Sequence, residues 1–200
     1  MVDQDYAPNH KEAARLFGLA AELGSLEAVH HLALQYEYGL ISNGEEPPLK
    51  NPEESEQLAS PYVPNFSKAA DLYKEAYGKG HTDSGFNYAL MVAYGRGPQQ
   101  DLTKALSVFS KLAIEKSHPP SMLFLGVFAM QGVGRKDDVS DYKGALLWFE
   151  KCATFDDPTV QGTCESHRDE LRGLVREAED KVGEVSRGYG DEFEIQFEPM

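Results

Sequence analysis

The sequence predicts an all-α protein in which short antiparallel helix pairs repeat along the chain and stack into a solenoid. Three observations carry this. A frame of a capping residue, three positions and an alanine recurs at Asn9 and Ala13, Asn65 and Ala69, Asp101 and Ala105, and Asp141 and Ala145. The residues three, four, seven and eight after each alanine share one helical face. They match in size from copy to copy: Leu16, Phe17, Ala20, Ala21; Leu72, Tyr73, Ala76, Tyr77; Val108, Phe109, Leu112, Ala113; Trp148, Phe149, Cys152, Ala153. A glycine stops the paired helix in each unit, at Gly39, Gly95 and Gly132. The alanines lie 56, 36 and 40 residues apart, and a recurring period of a few tens of residues marks a repeat architecture.

Residues 1–8 read as an N-terminal arm and residues 9–157 as the repeats. Asn9 is suited to cap the first helix, because its side chain accepts a bond from an orphan helix N–H. Gly24 is suited to end that helix. A second helix follows over residues 26–39, with Ala28, Leu32, Ala33 and Tyr36 as its packing face. The corresponding sets are Ser84, Tyr88, Ala89 and Val92, then Ser121, Leu125, Gly126 and Ala129. After the first pair comes an insertion, residues 41–64, rich in proline and glutamate. Such a composition disfavours a packed core, so the expectation is a solvated loop, with a partner contact as the alternative.

The frame Leu32-Ala-Leu-Gln-Tyr-Glu-Tyr-Gly39, the pair Gly95-Arg-Gly97 before Asp101-Leu-Thr-Lys-Ala105, and Gly132-Val-Gly134 before Asp141-Tyr-Lys-Gly-Ala145 resemble Sel1-like repeats. That family is a relative of the tetratricopeptide repeat. The resemblance covers residues 10–157 and implies a right-handed α/α superhelix that serves as a protein-interaction scaffold. Three places depart from the pattern. The first turn reads Gly39-Leu-Ile, the last unit has Gly144 where lysine is expected together with a longer turn, and the first full unit carries the insertion.

Residues 158–188 close the repeats with a longer helix, Leu171, Leu174, Val175, Ala178 and Val182 on one side and charge on the other. A polar-backed terminal helix is what a solenoid end requires. The tail, residues 189–200, alternates Phe193, Ile195 and Phe197 with the polar Glu194, Gln196 and Glu198, a pattern able to add as a strand to a partner or to lie in the protein's own groove. Disorder is the other reading of such a terminus.

The formal charge of −14 over 200 residues repels a phosphate backbone, so nucleic acid is excluded as a partner in favour of proteins with a basic or apolar docking segment. No apolar run is long enough to span a bilayer, so no direct membrane insertion is expected. The first residues lack the marks of a secretory or transit signal. The expected location is cytoplasmic, or organellar (mitochondrial) if a leader has been removed. Cys152 and Cys164 flank the break at Asp156-Asp157-Pro158, and two antiparallel helices bring such positions near each other. The usual burial of free cysteine favours reduced thiols; a disulfide, with an oxidising compartment, is the alternative.

Signs of chemistry do not survive a reading of their context. Gly132-Val-Gly134-Arg-Lys follows a helix and matches the repeat turn, where a phosphate loop needs a longer motif after a strand. His30 and His31 are adjacent on a helix and point about 100° apart. No His-x-x-x-His or Cys-x-x-Cys pair signals zinc. Neither a cofactor nor catalysis is expected. The face opposite the packing residues is His30, His31, Leu34, Glu37 and Tyr38 in the first unit, then Phe86, Asn87, Leu90, Ala93 and Tyr94, then Leu123, Phe124, Val127, Met130 and Gln131. A solvated face should be polar, and this one turns apolar. The resemblance places it on the concave side, which makes Phe86, Leu90, Tyr94, Leu123, Phe124 and Val127 the candidate partner-binding residues. The resulting expectation is a non-catalytic scaffold or adaptor subunit, with a regulatory or targeting module of a catalytic machine as the alternative.

Overall fold

The structure, a computed structural model, describes residues 9–41, 63–133 and 139–188. Among them are eight helices and no strand: α1 (His10–Glu22), α2 (Leu26–Glu37), α3 (Phe66–Gly78), α4 (Thr82–Tyr94), α5 (Leu102–Glu115), α6 (Pro119–Met130), α7 (Tyr142–Cys152) and α8 (Gln161–Gly188). Within the first unit α1 to α5 pack each on the next, and within the second α7 packs on α8, the neighbour-to-neighbour arrangement of an α/α solenoid. The chain divides into two compact units, Met1–Ser121 and Met122–Met200, with the boundary inside α6. The insertion at residues 42–62 and the tail, with Phe193, Ile195 and Phe197, lie outside the described residues.

One set of bonds recurs at the head of α1, α3, α5 and α7. The side chains of Asn9, Asn65, Asp101 and Asp141 accept hydrogen bonds from the backbone N–H of Glu12, Lys68, Lys104 and Gly144, each at 2.9 Å. Three of these capping residues also donate their own N–H back to the preceding helix. Asn65 reaches Tyr36 O at 2.8 Å, Asp101 reaches Val92 O at 3.1 Å, and Asp141 reaches Ala129 O at 2.7 Å. The end of the preceding helix is closed identically each time. Gly39, Gly95 and Gly132 take left-handed φ of 67°, 66° and 70°. The next residue, Leu40, Arg96 or Val133, donates back to Gln35, Met91 or Phe128, as a Schellman closure requires. Gly97 (φ +86°) has a further reason to be glycine: a Cβ there would stand 2.5 Å from the carbonyl oxygen of Phe66, at the start of α3.

In the first unit the core is Ala69, Tyr73 and Ala76 of α3, Tyr88, Ala89, Met91 and Val92 of α4, and Ala105, Phe109 and Leu112 of α5, all buried. Gly85 lets α4 lie against Tyr77, whose ring would be 2.5 Å from a Cβ at that position. In the second unit Ala145 and Phe149 of α7 and Leu171 of α8 form a buried cluster. Gly126 of α6 lies against the Phe149 ring in the same way.

The buried stretch of α8 lies earlier than the expected one, with Leu171 common to both. Val160, just ahead of the helix, and Cys164 and Leu171 are buried, whereas Leu174 is exposed and Val175 half-buried. The leucine spacing does not say how far along that side α7 reaches; Ala178 and Val182 lie outside the described side chains. Cys152 and Cys164 are joined in a disulfide, with Cα atoms 5.9 Å apart. This corrects the expectation of reduced thiols: the end of α7 and the start of α8 run back on each other closely enough to meet the bond's distance requirement.

Two substitutions test these contributions by urea denaturation. Asp101→Ala removes the α5 cap and is expected to cost about 1 kcal/mol. Cys164→Ala, or reduction of the wild type, opens a short loop and is expected to cost about 3 kcal/mol in the second unit. A loss well under 1 kcal/mol on reduction would mean that the disulfide is not formed in solution.

Candidate interaction surface

The face proposed from sequence is carried by the helices that precede each capped one. Tyr94, in the last turn of α4, is 57% exposed. Leu90 and Phe86, one and two turns earlier, are half-buried. Phe86 stands edge-on to Phe109 of α5, with centroids 5.7 Å apart, and 5.3 Å from the His118 ring. Part of its surface is therefore taken up inside the first unit. In the second unit Leu123 and Val127 pack against the Ala145, Phe149 and Leu171 cluster. Phe124 is half-buried, edge-on to Phe128 at 6.0 Å. Tyr38, at the place of Tyr94 in the first pair, is likewise exposed.

Two positions assigned to the outer face are core. His30 and Ala93 are buried, as are Val29, Met91, Met122 and Phe128, which the packing sets omitted. These helices touch more than one neighbour, so a single packing stripe under-counts what they bury; α4, for example, packs on both α3 and α5.

His30 opens onto a polar cluster that the sequence did not announce. Its Nδ1 lies 3.0 Å from the Ser84 hydroxyl, and its ring is 5.0 Å from that of His81. His81 is the N-cap of α4: its Nδ1 accepts the N–H of Ser84 at 3.2 Å. With Nδ1 accepting, the ring proton sits on Nε2, which donates to Glu27 Oε2 at 3.0 Å. The other oxygen of Glu27 faces His31 Nε2 at 3.2 Å. The next repeat has the same device. His118 Nδ1 accepts the N–H of Ser121 at 3.3 Å and meets its hydroxyl at 2.8 Å. Its Nε2 points to Asp83 at 3.4 Å. A capping histidine thus reaches back to an acid in the first turn of the preceding equivalent helix. The signal was present as His-x-x-Ser twice, at His81 and His118, but histidine is not among the favoured caps. Ser84 is fully buried, so its bond to His30 braces α2 against α4 and does not present a nucleophile.

Burial, reinforced by His81, holds the His30 ring below the ordinary histidine value, while Glu27 and Asp83 oppose this. The hydrogen bond from His81 holds the Glu27 carboxyl below its usual range. Burial, and then Glu37, pushes the Tyr73 phenol up; it donates to Glu37 Oε2 at 2.8 Å between α3 and α2.

These features define a helical-repeat protein of the α/α-solenoid class. Its repeats have the Sel1-like fold. A Sel1 repeat protein from Oxalobacter formigenes matches with a TM-score of 0.60 and 19% identity, over 81% of this chain and 53% of that one. The protective antigen c5321 of uropathogenic Escherichia coli strains, which displays an SLR fold, matches with a TM-score of 0.50 and 18% identity, over 94% of this chain and 45% of that one. The chain spans about half the length of these structures. No protein-family model and no curated protein sequence matches it. No helix among the described residues is long and apolar enough to cross a membrane.

The buried histidine sets a pH dependence. His30 resists protonation in the fold and takes a proton near 6.5 when unfolded, so below that pH the unfolded chain binds more protons. Stability is therefore full above it and falls as the pH drops. Thermal melts between about pH 7 and pH 5 should show a falling Tm, with a shallower slope in His30→Gln. An equal slope in the variant would place the dependence on other groups.

Proposed function

We propose that this protein is a non-catalytic protein-interaction module that acts as a scaffold or adaptor in a larger complex. The observation that supports this most directly is the α4 face: Tyr94 is exposed at the end of a row in which Leu90 and Phe86 are covered only in part. An aromatic residue at the edge of a partly buried apolar row is the composition of an interface anchor. Leu123, Phe124 and Val127 hold the same register on α6 and are candidates of the same kind. The net charge of −14 favours a partner segment that is basic around an apolar anchor. Within this reading the tail residues Phe193, Ile195 and Phe197 are a second docking element. The Cys152–Cys164 disulfide fits a module that works in an oxidising compartment. A regulatory or targeting module of a machine whose active site lies on another chain is the alternative, favoured if the captured partner is an enzyme whose activity the module changes.

The test is an affinity capture from native extract with wild type and Tyr94→Asp. Because Tyr94 is already solvated, circular dichroism should be unchanged. Retention of the specifically captured partner is expected to fall by about tenfold, the effect of losing about 1.4 kcal/mol at an anchor. Equal retention by both proteins would remove the α4 face from the binding surface.

A further inference from the structure

The disulfide that ties α7 to α8 has a neighbour with an unfilled role. His167 lies one turn after Cys164 on α8, in the spacing Cys164-Glu-Ser-His167, and residues three apart are neighbours on a helix surface. On α7, Phe149 lies one turn before Cys152. The His167 ring stacks on the Phe149 ring, with centroids 4.9 Å apart and planes 28° from parallel. His167 is therefore on the side of α8 that faces α7, beside the bridge along the same seam.

Its Nδ1 is buried and has no hydrogen-bond partner. The Glu170 carboxylate, one turn further on, stands 3.8 Å away, outside hydrogen-bond reach. A buried polar atom left in this state calls for a partner. An imidazole nitrogen and two thiolates are the donors that zinc takes. With the bridge closed the sulfurs are not thiolates. As they stand, no three or more His, Cys, Asp or Glu among the described residues could hold a metal ion. Reduction changes that donor set.

We propose that, once the bridge is reduced, Cys152, Cys164 and His167 form a zinc site of the Cys2His type, with a water as the fourth ligand. The reductant is a dithiol of the thioredoxin class. It gives two electrons and two protons to the bridge and is itself left as a disulfide, while Cys152 and Cys164 become thiols. Zn²⁺ then displaces both thiol protons, and His167 supplies a ring lone pair without losing a proton. The geometry permits the exchange. Two thiolates about 2.3 Å from zinc stand about 3.8 Å apart at a tetrahedral angle. The Cα atoms of Cys152 and Cys164 are 5.9 Å apart, so rotation of the side chains opens that gap without parting the helices. Glu-x-x-His pairs in helical bundles show that positions three apart on one helix can share a metal site. Both cysteines are fully buried, whereas the His167 side chain is 33% exposed; the metal and its water enter from that edge. Zinc would then hold α8 on α7 in reducing surroundings, as the disulfide does in oxidising ones.

Cobalt(II) is the probe, titrated anaerobically into the full chain after reduction with a phosphine. The reduced wild type should bind one Co²⁺ with a near-ultraviolet thiolate charge-transfer band and the visible bands of a tetrahedral site, and Zn²⁺ should abolish both. The oxidised wild type should show neither. Cys164→Ser should lose about half of the charge-transfer intensity. His167→Phe keeps a ring against Phe149 and should still form the disulfide on oxidation, which verifies its fold. Its Co²⁺ affinity should fall by about 100-fold, with shifted visible bands. A reduced wild type without a thiolate band at about 100 µM Co²⁺, well above the range of a specific site, overturns the proposal. So does a His167→Phe variant whose affinity and visible spectrum match those of the wild type.

Discussion

The two-way bond at each capping residue is the constraint on which the repeats depend. Asn65, Asp101 and Asp141 satisfy the first turn of their own helix through the side chain and hold the end of the preceding helix through the backbone N–H. A helix terminus leaves several polar groups unsatisfied, and here one residue serves two termini at once. The angle and separation of the pair are set at that point. Everything further along either helix, including the buried alanines and, within each unit, the buried rings of Tyr73, Phe109 and Phe149, falls into place from this hinge.

With the pair fixed at its turn, small residues decide how close the helices come. Gly85 against Tyr77 and Gly126 against Phe149 show one device used in both units: a bare backbone receives the flat side of a ring. The helices that carry these glycines are covered by more than one neighbour, and polar groups caught between them must find partners. Ser84, His30 and the capping histidines do so, linking α2 to α4 by hydrogen bonds. The first unit thus gains its register from the turns and a buried imidazole–hydroxyl bond, His30 to Ser84, from the polar seam.

The repeat was legible because caps, alanine columns and stop glycines are local signals that agree with one another; all four predicted caps accept the expected bond. The outer face was legible only in part. Tyr94 and Tyr38 are exposed, but His30 and Ala93 are buried, because one helical wheel cannot say how many neighbours a helix will have. The placement of Leu174 failed for a related reason: Cys164 and Leu171 share the expected side of α8 and are buried, but a helical wheel does not say how far along that side α7 reaches. The tie between Cys152 and Cys164 was itself underdetermined by sequence, since cysteines near the ends of antiparallel helices suit either a thiol pair or a disulfide.

Asn65 N–H meets the carbonyl of Tyr36 just as Asp101 N–H meets that of Val92, although 28 residues separate the first pair and 8 the second. Closing the longer connection costs only about 1 kcal/mol more, because loop entropy grows with the logarithm of length. The bond between those two groups is therefore compatible with both connection lengths. That makes this turn a port at which evolution or an engineer can graft a peptide, a tag or a small domain without re-specifying a single helix.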